Sequence, residues 1–367
     1  MIIVIPCYDE PEAMATIRSL FVCERGNFGV QILVVVNSYR ISPESAKQQN
    51  LHSFQEMQVF ASQYNTPDFQ LVPMWIEDLP GHQTGAGLPR KIGMDEAARR
   101  FQASGNKQGI IISLDADTTV EKNYLKEIVR CFREYHLRSA TIEFHHPVEY
   151  LKPADPLRRA TETYETYLRY YRAALEYTGY PYAYYTIGSA FAVTVETYRQ
   201  AGGMGKQQAG EDFYFLQKVF PLGKTKFIDT TCVYPAARIS HRVPFGTGLV
   251  TAKMIEEQQF TKYTYQVKAF TLLKHLFDRI DHFYRATPQQ VTEILSDFPE
   301  AMLAFLSDQN FVEKIDEINR NTAGLANFKK RFFNYFTAFR ILKYLNFVHP
   351  EPFGWREVRS EAARLLP

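Results

Sequence analysis

The sequence predicts an α/β protein, with a mostly parallel sheet covered by helices on both faces and a helical C-terminal part. Three observations carry this. Short apolar runs alternate with helical patterns through the first half of the chain. The run Gly109-Ile110-Ile111-Ile112-Ser113-Leu114 is apolar at nearly every position, as a strand buried on both faces requires. From residue 251 to 349 the alternation gives way to amphipathic helical patterns, punctuated by Thr287-Pro288. With 367 residues, 46% of them apolar, the chain can build a sizeable core and about two domain-sized units. A division is expected near residue 250, into 1–250 and 251–367.

In order, Met1 to Ile5 reads as a strand ended by Pro6, and the polar turn Cys7 to Pro11 leads into a helix from about Glu12 to Cys23. Val30 to Val36 is a second strand, ending in Asn37-Ser38-Tyr39. A helix from Ser45 to Gln63, a strand from Gln70 to Trp75, a glycine-rich loop from Gly81 to Gly87 and a helix from Lys91 to Ala103 follow. Further on, Thr186 to Val193 reads as a turn into a strand, Asp212 to Val219 as a helix, and Cys232 to Ile239 as strand-like.

Composition excludes several classes. A formal charge of +2 lacks the concentrated basic footprint of a nucleic-acid protein. Cys7, Cys23, Cys131 and Cys232 are far apart and form no Cys-x-x-Cys pair, so reduced thiols and a cytoplasmic location are expected. Pro6 cuts the first apolar run short, which makes it a strand rather than a signal peptide, and no uncharged apolar stretch approaches 20 residues.

The chemistry-bearing residues are mostly acids. Asp115 and Asp117 come directly off the strand at 109–114, at the end of a parallel strand where ligands of open sheets bind. Two carboxylates this close repel unless a cation or proton shares them, and hard oxygen ligands suit Mg2+ or Mn2+. The plainer reading is a solvated turn in which Thr118 and Thr119 cap a helix. Gly85-Ala86-Gly87-Leu88-Pro89-Arg90 lacks the third glycine of a dinucleotide fingerprint and the Gly-Lys-Ser/Thr ending of a P-loop. It does place Arg90 and Lys91 at a helix start, which suits a diphosphate. Glu211 and Asp212 open a helix, where acids also serve simply as caps. Gly188 lies in a small-residue turn that would let a ligand approach closely. His241 follows a strand, and a lone histidine is more often structural than a metal ligand.

Together and in order, these pieces resemble the family 2 glycosyltransferases of the GT-A fold, over about residues 1–245. Val4-Ile5-Pro6-Cys7-Tyr8-Asp9-Glu10 looks like the family's first strand and nucleotide-binding loop, Ile32 to Ser38 its second strand, and Gly85 to Ala98 the loop and helix under the donor. Asp115-Ala116-Asp117 resembles its metal-binding motif and Glu211-Asp212 its catalytic acidic pair. Asn37 stands where many members carry Asp, and the Gln-x-x-Arg-Trp motif of processive synthases is missing. The resemblance implies a GT-A-type three-layer α/β/α sheet and a metal-dependent transferase that takes a nucleoside-diphosphate sugar and an acceptor hydroxyl on a glycan, lipid-linked or small molecule.

It further implies Asp212 as general base beside Glu211, and donor contacts from Pro6, Tyr8, Glu10, Asn37, Arg90, Lys91, Asp115 and Gly188. Mn2+ or Mg2+ would be held by Asp115 and Asp117. A retaining transferase with His241 as a third metal ligand is the nearest alternative, and a non-catalytic glycan- or nucleotide-binding scaffold another. A nucleotidyltransferase would carry a Gly-x-Gly-Thr-Arg-like loop where this chain has Pro6-Cys7-Tyr8-Asp9.

Two aromatic segments complete the reading. Tyr164, Tyr167 and Tyr171 are spaced as a helical stripe, which suits sugar stacking and equally a core-facing row, the reading favoured for most tyrosines of 164–185. Segment 321–349 has no acid. It interleaves Lys329, Lys330, Arg331, Arg340 and Lys343 with Phe328, Phe332, Tyr335, Phe336, Phe339, Leu342 and Phe347. Such a basic amphipathic helix could lie on the inner face of a membrane, or pack its aromatic face into the protein.

Overall fold

A computed structural model describes residues 1–80, 85–205, 210–238 and 247–366. By compactness the chain forms two units, Met1–Thr161 with Thr186–Gln258, and Glu162–Tyr185 with Gln259–Pro367. The tyrosine-rich segment thus groups with the C-terminal residues rather than with the sequence that flanks it.

The first unit alternates β1 (Ile2–Cys7), α1 (Ala13–Phe21), β2 (Val30–Tyr39), α2 (Glu44–Tyr64), β3 (Phe69–Leu79), α3 (Gly87–Ala103) and β4 (Ile110–Ser113). Then come β5 (Thr118–Val120), α4 (Tyr124–Glu134), β6 (Ser139–Phe144) and the start of α5 (Pro156–Tyr177), a helix that continues into the second unit. The chain returns through β7 (Phe191–Thr194), α6 (Val195–Gln200), α7 (Glu211–Val219), β8 (Thr225–Pro235) and α8 (Thr247–Glu256). One eight-stranded sheet results, in the order β3-β2-β1-β4-β7-β6-β8-β5. The α/β sheet with a helical C-terminal part, expected from the sequence, is the architecture observed.

β1 and most of β2 are buried on both faces, because helices cover both sides of a parallel sheet. On one of those faces α3 comes so close that a Cβ on Gly93 would stand 2.4 Å from Val4 Cγ1, so only glycine allows this helix to sit there. Pairing is parallel through β3, β2, β1 and β4 and between β6 and β8. β7, however, is antiparallel to β4 and β6, and β5 is antiparallel to β8. The antiparallel run has a physical cause: the chain enters β7 from the carboxyl end of β4 and runs away from it, which leaves the turn at Gly188 beside Ser113. Thr118 and Thr119 lie in β5, so the reading of them as helix caps is corrected.

In the second unit, β9 (Tyr263–Thr264) pairs with β10 (Arg356–Glu357). Helices α9 (Val267–Asp278), α10 (Ile280–Phe283), α11 (Pro288–Leu295), α12 (Glu300–Asp308), α13 (Phe311–Arg320), α14 (Leu325–Tyr335) and α15 (Ala338–Val348) surround an aromatic core. Segment 321–349 is two helices, α14 and α15, and not one. Phe328, Phe332 and Phe336 are fully buried, with Phe332 packed edge-on against Phe277 and Phe311. Of the two readings of this segment, the packing of aromatic residues into the protein is the one seen at Phe328, Phe332 and Phe336, while Phe339 and Phe347 of that row are exposed. No helix among the described residues is long and apolar enough to cross a membrane. Tyr170, Tyr180 and Tyr185 are core residues, while Tyr164, Tyr167 and Tyr171 stack along α5 half-buried.

Candidate active site

The Asp115-Ala116-Asp117 tip follows β4 and is fixed by its backbone. The carbonyl of Asp115 accepts from Thr118 N–H, that of Asp117 from Ala236 N–H after β8, and that of Ala116 from the buried Thr16 hydroxyl of α1 at 2.8 Å. All three carbonyls are occupied, so the two side chains project from a rigid turn.

Arg90, in the first turn of α3, organises what faces them. It is buried, and four of its five N–H donors are taken. Nε donates to Glu211 Oε1 at 3.0 Å, Nη1 to Ser113 Oγ at 2.7 Å and to the Gly188 carbonyl at 3.0 Å, and Nη2 to Asp115 Oδ1 at 2.9 Å. Ser113 Oγ in turn donates to the Gly188 carbonyl at 2.6 Å. Burial works against the Arg90 charge, yet Asp115, Glu211 and Asp212 around it raise its pKa above the ordinary value. A Cβ on Gly188 would lie 2.8 Å from Arg90 Nη2 and 3.3 Å from Asp212 Oδ2. Arg90 is pinned and cannot give way, so Gly188→Ala is expected to lower stability by about 1–3 kcal/mol through overpacking. A lower urea midpoint with an unchanged slope checks this, and a wild-type midpoint would show that Arg90 can move after all.

A second cation meets the tip from the other side. Arg238, after β8, donates through Nη1 to Glu10 Oε1 at 2.9 Å and through Nη2 to Glu10 Oε2 and to Asp117 Oδ2, the latter at 2.5 Å. Glu10 is buried, Asp117 half-buried. Among the described residues, the five carboxyls Glu10, Asp115, Asp117, Glu211 and Asp212 face two guanidiniums, those of Arg90 and Arg238. The consequence is proton affinity. Burial, with Asp115 adding, raises the pKa of Asp117 against the opposing pull of Arg238. Burial, with Glu211 adding and Arg90 opposing, pushes Asp212 up to about 7.

Beside these clusters, β1 and β2 end in a polar corner. Pro6 is buried in β1 and pairs in register with Val35. Asp9 N–H donates to Asn50 Oδ1 and Asn50 Nδ2 to the Asn37 carbonyl, each at 2.7 Å. The side-chain amide of Asn37 is buried with neither Oδ1 nor Nδ2 hydrogen-bonded. Leaving a buried amide unmet is costly. Tyr8 sets its ring edge-on against Tyr39 at 5.9 Å, and the Tyr39 hydroxyl donates to the Gly85 carbonyl at 2.5 Å.

The structure thus brings Arg90, Asp115, Gly188, Glu211 and Asp212 into one cluster, and Glu10 and Asp117 into a second that shares the same tip. Lys91 instead pairs along its own helix with Asp95 at 2.7 Å. Gly81 to Thr84 of the glycine-rich loop lie outside the described residues, as do Ile239, His241 and Arg242. Sequence reasoning missed Arg238 and Ser113. No sequence signal singled out Arg238, since His241 and Arg242 follow it in the same segment.

Among the described residues no three His, Cys, Asp or Glu side chains gather as a metal-holding cluster. Two carboxylates nonetheless suit Mg2+ or Mn2+, which commonly take one or two protein carboxylates and complete their shell with substrate phosphates and water. Asp115 gives Oδ1 to Arg90 and Asp117 gives Oδ2 to Arg238, while Asp117 Oδ1 accepts weakly from the Thr118 hydroxyl at 3.4 Å.

No family model matches the chain, and no curated protein matches it in sequence. Among solved structures it is similar to Staphylococcus aureus TarS 1–349 in complex with UDP-GlcNAc, at 11% identity over 89% of each chain and a TM-score of 0.46. It is also similar to S. aureus TarS, at 12% identity over 89% of this chain and 54% of that one, with a TM-score of 0.42. TarS 1–349 in complex with UDP matches at 10% identity over 92% and 91%, with a TM-score of 0.42. No residue role is transferred from these likenesses.

Proposed function

We propose that this chain is a glycosyltransferase, moving a sugar from a nucleoside-diphosphate sugar to an acceptor hydroxyl with inversion at the anomeric carbon. The observation that supports this best is the buried Arg90 bridge. It ties Asp115 of the diacid tip to Glu211, the neighbour of Asp212, across 25 and 121 residues of sequence. Two acidic centres with different tasks are thereby held at a fixed separation at the carboxyl end of the parallel strands, where open α/β sheets bind ligands.

The two tasks follow from the chemistry of the transfer. As the sugar–phosphate bond breaks, charge develops on the departing diphosphate, and an acceptor hydroxyl must lose a proton as it attacks. Asp115 and Asp117 would hold Mg2+ or Mn2+, which supplies Lewis-acid neutralisation of that diphosphate when bound. Asp212 takes the proton from the acceptor oxygen. Its proton affinity, near neutrality, makes it a stronger base than an ordinary aspartate while leaving much of it ionised at pH 7. One in-line displacement with such a base inverts the anomeric centre. Glu211 is held by Arg90 and keeps Asp212 in register. The open donor and acceptor of Asn37, at the end of β2, offer an edge-reading site for the nucleobase.

Asp117→Ala tests the donor half. Mn2+-dependent binding of a nucleoside diphosphate, followed by calorimetry with UDP, GDP and ADP in turn, is expected to weaken at least about 10- to 100-fold. Undiminished affinity in a folded variant would remove the assignment.

A further inference from the structure

Arg238 reaches the diacid tip by a defined route. Thr118 of β5 pairs with Pro235 of β8, and the Ala236 N–H holds the Asp117 carbonyl, so the strand that carries the guanidinium is hydrogen-bonded to the loop it clamps. Its two carboxylate partners are unequal. The Glu10 side chain is 3% exposed and also accepts from Glu12 N–H at 3.2 Å, while its backbone carbonyl receives the Ser53 hydroxyl at 3.3 Å. The Asp117 side chain is 23% exposed and meets the guanidinium through one oxygen. Glu10 is therefore the anchor and Asp117 the releasable end. A guanidinium and a divalent cation on the same carboxylate repel each other at close range, and both claim the same electron pairs.

Resting on the functional reading above, we infer that Arg238 is a placeholder cation. It holds Asp117 in the ligand-free protein and yields it when metal and diphosphate arrive together. Anchored by Glu10, it then turns its freed N–H groups onto the diphosphate. Metal alone must displace the guanidinium and receives nothing in return, so it binds weakly. Metal with diphosphate gives the displaced guanidinium a new anion, and the two ligands therefore bind cooperatively through Arg238.

Two variants separate bridging from charge. Arg238→Lys keeps the charge but cannot serve both carboxylates through one planar fork, and Arg238→Gln removes the charge as well. Mn2+ binding is measured by electron paramagnetic resonance on the whole chain, without and with inorganic pyrophosphate, a probe that carries the diphosphate and no base. Circular dichroism confirms that the variants are folded. Both variants are expected to bind Mn2+ alone about tenfold more tightly than the wild type, the size of one lost charged hydrogen bond. In Arg238→Gln the enhancement of Mn2+ binding by pyrophosphate should fall about tenfold or more. Wild-type Mn2+ affinity in Arg238→Lys, or an undiminished pyrophosphate enhancement in Arg238→Gln, overturns the placeholder role while leaving the transferase reading intact. Failure of Mn2+ to bind the wild type and both variants, even with pyrophosphate, overturns the functional reading and the placeholder with it.

Discussion

Arg90→Leu is expected to cost about 3–5 kcal/mol of folding stability, the range seen when one partner of a buried ion pair is removed. That is a large part of the roughly 5–15 kcal/mol that separates folded from unfolded protein. The loss has a clear origin: Glu211 is buried and would keep its charge without a counter-ion, and Ser113 and the Gly188 carbonyl would each lose a donor. Arg90→Lys keeps the charge but supplies three donors from a single point, and should recover only a fraction. Urea denaturation of the two variants decides it. A wild-type midpoint for Arg90→Leu would mean that the bridge contributes little.

Asp212→Asn is expected to reduce turnover by about 10²- to 10⁴-fold while changing nucleoside-diphosphate affinity little, because a positioned base acts only in the transition state. The pH profile carries a signature of its own. Burial, with Glu211 adding, pushes Asp212 from 3.8 up to about 7, so kcat/KM of the wild type should rise with pH through about 7 and level off above it. The asparagine variant should lose that limb. The same shift has the opposite sign for stability. The folded state holds this proton more tightly than the unfolded chain, so Asp212 disfavours folding progressively as pH rises from about 4 to about 7, and Asp212→Asn should flatten that slope. Near wild-type turnover in the variant would move the base to Glu211.

The parts of the molecule legible in its sequence are those in which local pattern and final environment agree. β1, β2 and β4 are buried on both faces and read as unbroken apolar runs, and α2 and α3 were visible between them. Acids were legible because few residue types can do their chemistry at a strand end. What stayed hidden depends on long-range closure. Ser139–Phe144 alternates Ala140, Ile142 and Phe144 with polar residues, as a strand does, but its place in the sheet stayed hidden because its neighbours β7 and β8 come from far along the chain. Arg90 reads as a solvated base at a helix start, and only the approach of Gly188 and Glu211, 98 and 121 residues away, turns it into a buried hub. In 321–349 the helical spacing of the aromatic residues was correct. Their burial could not be read from that segment, because it depends on Phe277, Phe283 and Phe311 lying against Phe332.

The order in which the sheet is threaded also constrains how the protein can be made. When residues 1–161 have left the ribosome, β3, β2, β1 and β4 can assemble, but β6 has neither neighbour, because β7 and β8 are still to be synthesised. The open edge of β4 and the solitary β6 wait while the 24 residues of Glu162–Tyr185, which belong to the other unit, are translated. Late, non-local pairing of this kind slows folding and leaves strand edges available to other chains. Truncation at the end of α5 would freeze the nascent chain in that state, with Ser113 and Arg90 still lacking the Gly188 turn, so the first unit has to be obtained from a polypeptide that runs past β8.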